Sequence, residues 1–221
     1  MKFIFKWLLR LVILGVVLLV IFLLSLDSIL RVMVEHNIRA QTGMHAEIGK
    51  FHLGLTEPVV EIKNLKLFNP PDFGGTPFLD IPEIYVEYDK AALKQREIHV
   101  TLMRFNLGEF DIVKNAAGQT NIFSLGVTLP TKKSAGSKEL EDFKKQTGLT
   151  FKSIDVLNVS VGKFKYIDLG NQTNNREQIV GIENQIVPPI KTPADVAGLA
   201  VLVALRSGDF FGPFISPADL K

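Results

Sequence analysis

From Ala46 onward the apolar side chains recur every second residue, and segments of that kind bury them by pairing into a sheet. The first clear segment carries Val60 and Ile62, then Leu65 and Leu67, with a one-residue slip at Asn64 that predicts a bulge. Asn69-Pro70-Pro71-Asp72 with Gly74-Gly75 ends it in a loop. Ile84, Val86 and Tyr88 alternate with Glu83, Tyr85 and Glu87, giving one apolar face and one mainly polar face. Ile98, Val100 and Leu102 repeat the pattern, and Phe105, Leu107, Phe110 and Ile112 extend it around Gly108. Ala117-Gly118 and Gln119-Thr120-Asn121 close this first β segment, within which Lys90 to Leu93 has room for no more than a turn of helix. A second β segment begins at Phe151 with Ile154, Val156, Val159 and Val161, and after Gly162 continues with Phe164, Tyr166 and Asp168. Ile179 to Val187 supplies one more strand.

Helical spacing is found elsewhere. Ile29, Leu30, Met33, Val34 and Ile38 recur at three- and four-residue intervals between Ser28 and Thr42, with Gly43 placed to end the helix, and this stub is expected to continue the anchor or to lie against the first sheet, with Met33 and its neighbours as packing residues. A polar stretch, Pro130 to Gly136, leads into a surface helix from Ser137 to Thr147. Its capping serine, early acids Glu139, Glu141 and Asp142, and late Lys144 and Lys145 suit the two ends of a helix whose charges are a solvated face. Thr192-Pro193-Ala194-Asp195 starts a last helix that runs to Leu205 or Arg206. It is apolar nearly all round yet about half the length needed to cross a bilayer, so it is expected to cover a sheet edge or face, with Phe210, Phe211 and Phe214 beyond it.

Ahead of all this, Leu11 to Leu26 run without a charge, preceded by Lys2, Lys6 and Arg10 and followed by Asp27. Crossing the hydrocarbon layer takes roughly 20 apolar residues, and Trp7, Leu8 and Leu9 extend the run to that length while Arg10 reaches back to the headgroups. The positive charge on the N-terminal side places that end in the cytoplasm and the rest of the chain across the membrane. A cleaved secretory signal fits less well, because the run is long and Ser25-Leu26-Asp27-Ser28 makes a poor cleavage site.

With the three basic residues of this anchor set aside, 22 basic side chains face 23 acidic ones, which offers no global basic face for nucleic acid. The absence of cysteine excludes disulfides, thiol catalysis and cysteine-type zinc sites. The four histidines are His36, His45, His52 and His99, and the spacing of His45 and His52 would set them on opposite faces of one strand, poor geometry for a shared metal. Glu83 and Glu87 are expected on a solvated strand face. No nucleophile-elbow, zinc-protease or phosphate-loop pattern occurs. The sequence therefore nominates no catalytic, cofactor-binding or metal-binding residue.

The N-terminal anchor, Gln41-Thr42-Gly43, the stretch Val60-Glu61-Ile62-Lys63-Asn64-Leu65-Lys66-Leu67, and Ile81-Pro82-Glu83-Ile84-Tyr85-Val86-Glu87-Tyr88-Asp89 resemble the opening of the bacterial AsmA-like family. Ile98-His99-Val100, the Gly118-Gln119-Thr120-Asn121-Ile122 turn and Leu157 to Asp168 are similar to its later strands and turns, so that the resemblance covers roughly residues 1 to 170. It implies a non-enzymatic inner-membrane protein with a periplasmic β-rich portion, serving envelope maintenance and outer-membrane biogenesis, and in the long members passing lipid along an apolar groove. This chain is much shorter than those members, and a groove must span the gap to bridge two membranes.

The expected fold is α+β and mainly β: an N-terminal transmembrane helix, then an antiparallel β-rich module, curved sheet or sandwich, with a few peripheral helices. The expected division is 1–26 leader and anchor, 27–45 juxtamembrane helix, 46–129 first β segment, 130–150 polar linker and surface helix, 151–187 second β segment, and 188–221 apolar helix and tail. If the strands curl into a trough, Val60, Ile62, Ile84, Val86, Val100 and Leu102 would face lipid; in a sandwich the same side chains would fill a closed core. The expected partners are the membrane and lipid, without nucleic acid. The alternative function is a tethered scaffold that docks another envelope protein.

Overall fold

The structure, a computed structural model, describes residues 25–40, 42–54, 56–124, 147–192 and 197–211, together with 141, 144, 145 and 195. The anchor before residue 25, the polar stretch Pro130 to Gly136, most of the helix expected over Ser137 to Thr147, and Phe214 lie outside the described residues. Among the described residues no helix is long and apolar enough to cross a membrane.

Helix α1 spans residues 25–40. The strands are β1 (His45–Leu53), β2 (Val59–Phe68), β3 (Pro77–Tyr88), β4 (Glu97–Lys114), β5 (Thr150–Asp168) and β6 (Arg176–Val187), and they form one six-stranded sheet in sequence order. Short helices α2 (Lys90–Lys94) and α3 (Asn121–Ser124) follow β3 and β4, and α4 (Ala197–Ser207) leads into a 3₁₀ turn over Gly208–Phe211. Among the described residues the β portion is a single sheet, not a sandwich, and the two β segments are halves of it.

The expectation of a wholly antiparallel module is corrected at the centre. β4 and β5 pair in parallel, from Glu97 beside Thr150 to Lys114 beside Asp168, while every other neighbouring pair is antiparallel. A parallel pair needs the chain to travel back along the whole strand, which for the 18 residues of β4 is roughly 60 Å. Residues 115–149 join the two strands, so most of the expected linker, 130–150, belongs to this return connection.

The one-residue slip at Asn64 is one station on a line that crosses the sheet. Pairing around it sets Gly49 and Pro82 on either side of Asn64, and sets Gly108 beside Gly162 on the next two strands. The line reaches β6 at Gly181, where the register with β5 breaks. Asn64 (φ 53°) and Gly181 (φ 60°) take the left-handed conformation that such offsets require. In each of the first five strands the apolar side chains step by three residues here instead of two: Ile48 to Phe51, Ile62 to Leu65, Ile81 to Ile84, Leu107 to Phe110, Val161 to Phe164. Both sides of the line therefore keep their apolar residues on one face. Ile48, Leu65 and Ile81 pack with Ile62, Ile84, Phe105 and Leu107, and the last two also pack with Val159, Val161 and Phe164.

Helices sit at both ends of that face. Val34 and Ile38 of α1 pack against Ile48, Leu65 and Ile81, while Leu199, Leu202 and Val203 of α4, with Phe210, pack over β4 to β6. Phe78, Phe110, Phe164 and Phe210 form a ladder of rings with centroids 5.3, 5.7 and 5.9 Å apart. The last helix thus covers a sheet face, as its apolar sequence implies, but Leu205 is 76% exposed.

α1 also shields the edge of β1. Asp27 Oδ1 accepts the Leu53 N–H at 3.0 Å and Glu35 Oε1 accepts the Ile48 N–H at 2.8 Å, occupying edge donors that could otherwise recruit another strand. These bonds turn residues 27, 34, 35 and 38 inward, so Met33 is 54% and Ile29 46% exposed, and the expectation that both pack is corrected.

Candidate functional site

Four of the six residues singled out on the strands come together. Val60 pairs with Val86 and Ile62 with Ile84; across the next strand Val86 meets Met103 and Ile84 meets Phe105, which lie beside Leu157 and Val159. Two apolar rows, Val60–Val86–Met103–Leu157 and Ile62–Ile84–Phe105–Val159, therefore run over four strands. Their β5 members are buried, and those of β2 to β4 are only partly so. Leu102 pairs with Glu87 and Val156, on the other face, and Val100 lies past a register break beside Tyr88, 8% exposed. Met103 thus holds the place that the sequence reading gave to Leu102. Counting back by two from Phe105 would have found it; counting forward from Ile98 lands out of phase.

The opposite face is a charge ladder. Glu61 binds Lys63 at 2.8 Å and Lys50 at 2.9 Å, and these two ammonium groups hold its carboxyl below the usual range. Arg104 lies 3.9 Å over the Tyr85 ring and 3.4 Å from Glu83. The Tyr85 hydroxyl donates to Glu87 at 2.7 Å, which with burial raises its pKa. Glu109 holds Lys165 at 2.8 Å and Lys163 at 3.2 Å, and Lys163 also reaches Glu177. A sheet with one side so charged stays wet there, which leaves the other side for apolar contacts.

Three of the four histidines, His45, His52 and His99, are tied to carboxylates. His99 lies between Asp155 (2.8 Å) and Asp89 (3.4 Å), and the bond to Asp155, against the pull of desolvation, raises its pKa. Ser153 Oγ donates to the other oxygen of Asp155 at 3.0 Å. The carboxylate stands between hydroxyl and imidazole, so the imidazole is not placed to take the serine proton. His52 binds Asp27 and His45 binds Glu47. Among the described residues no three His, Asp or Glu side chains are grouped to hold a metal.

A polar end wall, which the sequence reading did not single out, closes the apolar face where β4 and β5 end. Lys114, Tyr166, Asp168, Thr173, Asn174 and Arg176 line a cavity of about 410 Å³ there. The nearby Gly118-Gln119-Thr120-Asn121 turn is structural. Asn121 is fully buried, its amide donating to Asn69 Oδ1 (2.8 Å) and the Asp111 carbonyl (2.9 Å) while its oxygen accepts the Val113 N–H (3.1 Å).

Comparison of the chain with protein-family models, with curated proteins and with solved structures finds no match.

Proposed function

We propose that the chain is an AsmA-like, non-enzymatic protein of the bacterial cell envelope, tethered by its N-terminal apolar segment in the inner membrane with the sheet on the periplasmic side. The apolar face takes up acyl chains in envelope maintenance. The observation that carries this reading is the pair of partly exposed rows, Val60–Val86–Met103 and Ile62–Ile84–Phe105, backed by a charged face. An acyl chain laid across them removes apolar surface from water at about 25 cal/mol per Å². Fractionation should keep the chain with the inner membrane. Photo-crosslinking from Val86 and Met103 should capture lipid, and capture no greater than from Glu87, one residue away on the charged face, would refute the lipid role.

A second reading, a tethered scaffold that docks an envelope protein, draws on edge strand β6, where Ile179 is 70% and Ile186 64% exposed. Replacing both by lysine would then abolish recovery of a defined partner and leave lipid capture at Val86 unchanged.

A further inference from the structure

The cavity at the carboxyl ends of the parallel strands is used by neither the apolar rows nor the charge ladder. Lys114 and Asp168 end β4 and β5 side by side, and in the preceding row Tyr166 lies between Ile112 and Arg176. The Asp168 side chain is 4% exposed. Its Oδ1 accepts the N–H groups of Gly170 (3.0 Å) and Asn171 (3.1 Å), and its Oδ2 accepts Asn174 Nδ2 (3.1 Å) and Lys114 Nζ (3.4 Å). A buried carboxylate so supplied is fully satisfied, and it anchors Lys114, whose side chain remains 38% exposed, in the cavity wall.

Arg176 is different. No carboxylate among the described residues forms an ion pair with it, and its guanidinium stands 5.5 Å over the Tyr166 ring, a contact that orients the planar fork without neutralising it. The cavity therefore presents two cations, Arg176 and the Lys114 that Asp168 holds, against the single acid Asp168 in its lining, which its own donors satisfy, with Asn174 beside them. Its size of about 410 Å³ admits a tetrahedral anion and the group esterified to it.

We propose that this cavity binds a phosphoryl anion, a phosphate monoester or diester, with the Arg176 fork as a two-point donor and Lys114 as the second cation. A tetrahedral group offers oxygens in more than one direction and so can meet two cations held on different strands. A phospholipid headgroup and a soluble phosphate ester share this chemistry. Tyr166 belongs both to the cavity wall and to the apolar cluster, so an amphiphile bound here would place its anionic end where the apolar face stops. The site does not depend on the apolar rows carrying lipid, since a soluble ester satisfies it equally.

Calorimetric titration of the full chain in non-ionic detergent with glycerol 3-phosphate, and co-sedimentation with phosphatidylcholine vesicles with and without phosphatidylglycerol, test the site. Arg176 is exposed, so Arg176→Gln leaves the fold intact and should weaken binding by roughly tenfold or more. Lys191→Gln, an exposed cation elsewhere, should leave it unchanged. Saturable, Arg176-dependent binding of the soluble ester alone assigns the site to a free phosphate; Arg176-dependent binding of the anionic vesicles assigns it to a headgroup. Either supports the proposal. No saturable binding to the natural chain, or equal binding by Arg176→Gln, overturns it, whatever Val86 captures.

Discussion

At the scale of single residues, two titrating groups whose folded pKa values are raised tie stability to pH in the same direction. Asp111 is 3% exposed, and burial, then the charge of Glu109, pushes its carboxyl up to about 7. Glu109 itself stays ionised, because Lys165 and Lys163 outweigh the desolvation that would raise it, so a protonated Asp111 can donate to it. The folded value lies above the ordinary 3.8, so this contribution is complete below that pH and is lost as pH rises through about 7. Relative to Asp111→Asn, the natural chain should lose roughly 2 to 3 kcal/mol between about pH 5 and about pH 8, read from urea unfolding at each pH. A constant difference between the two proteins would show that Asp111 does not titrate there. His99 is also raised, from 6.5, chiefly by its bond to Asp155 and further by Asp89. Its stabilising effect is therefore full below 6.5 and lost as pH rises through the higher folded value. The melting temperature of the natural chain should exceed that of His99→Gln at about pH 6, with the gap closing by about pH 9; a gap that widens with pH would contradict the two ion pairs.

At the scale of elements, the line of offsets through the sheet is what keeps a long strand one-sided. A strand of the length of β4 or β5 twists, and where the line crosses β1 to β5 the apolar spacing shifts by one residue so that both sides of it keep one apolar face. The change was read at Asn64, because apolar spacing of three within a period of two leaves a visible slip; the same spacing around Gly108 and Gly162 passed as continued alternation. That the slips align across neighbours was not legible, since alignment depends on register. Gly162 is the tightest point: a Cβ there would stand 2.4 Å from the Gly108 carbonyl oxygen, whereas one on Gly108 would stand 3.2 Å from Pro82 Cγ. Gly162→Ala must move backbone and should cost about 2 kcal/mol or more, well above Gly108→Ala, measured by denaturant titration; the reverse order would place the close approach elsewhere. α1 shows the opposite kind of legibility. Its helical period was plain, yet apolar residues lie all around it, and only the Asp27 and Glu35 bonds to β1 decide which side faces in. Removing both carboxylates by Asp27→Ala and Glu35→Ala should speed amide exchange at Leu53 and Ile48 while leaving Val113, deep in β4, protected. Unchanged exchange at the two edge amides would mean that α1 does not guard them.

At the scale of the whole molecule, the sequence revealed where strands lie and which faces are apolar, but not that two long strands run the same way. Side-chain alternation is identical in either direction, so residues 130–150 read equally well as a spacer between two β segments and as part of the return that a parallel pair demands. The Lys114–Asp168–Arg176 end wall was hidden for the same reason. Lys114 closes one segment, Asp168 and Arg176 belong to the other, and only the parallel register brings them together. The two arrangements differ in a measurable way. If β4 and β5 are joined from Glu97 beside Thr150 to Lys114 beside Asp168, and the core of Ile112, Phe164 and Phe110 spans both halves, neither half buries its central strand alone. A chain carrying an inserted protease site between Pro130 and Gly136, folded and then cut, should remain one particle on gel filtration in non-ionic detergent and separate only in denaturant. It should also unfold in a single transition that coincides by far-ultraviolet dichroism and by Tyr166 fluorescence change on mutation of the other tyrosines. Two fragments that part after cutting without denaturant, or two separated transitions in the uncut chain, would mean that the segments fold as independent bodies and that the central parallel pair does not form.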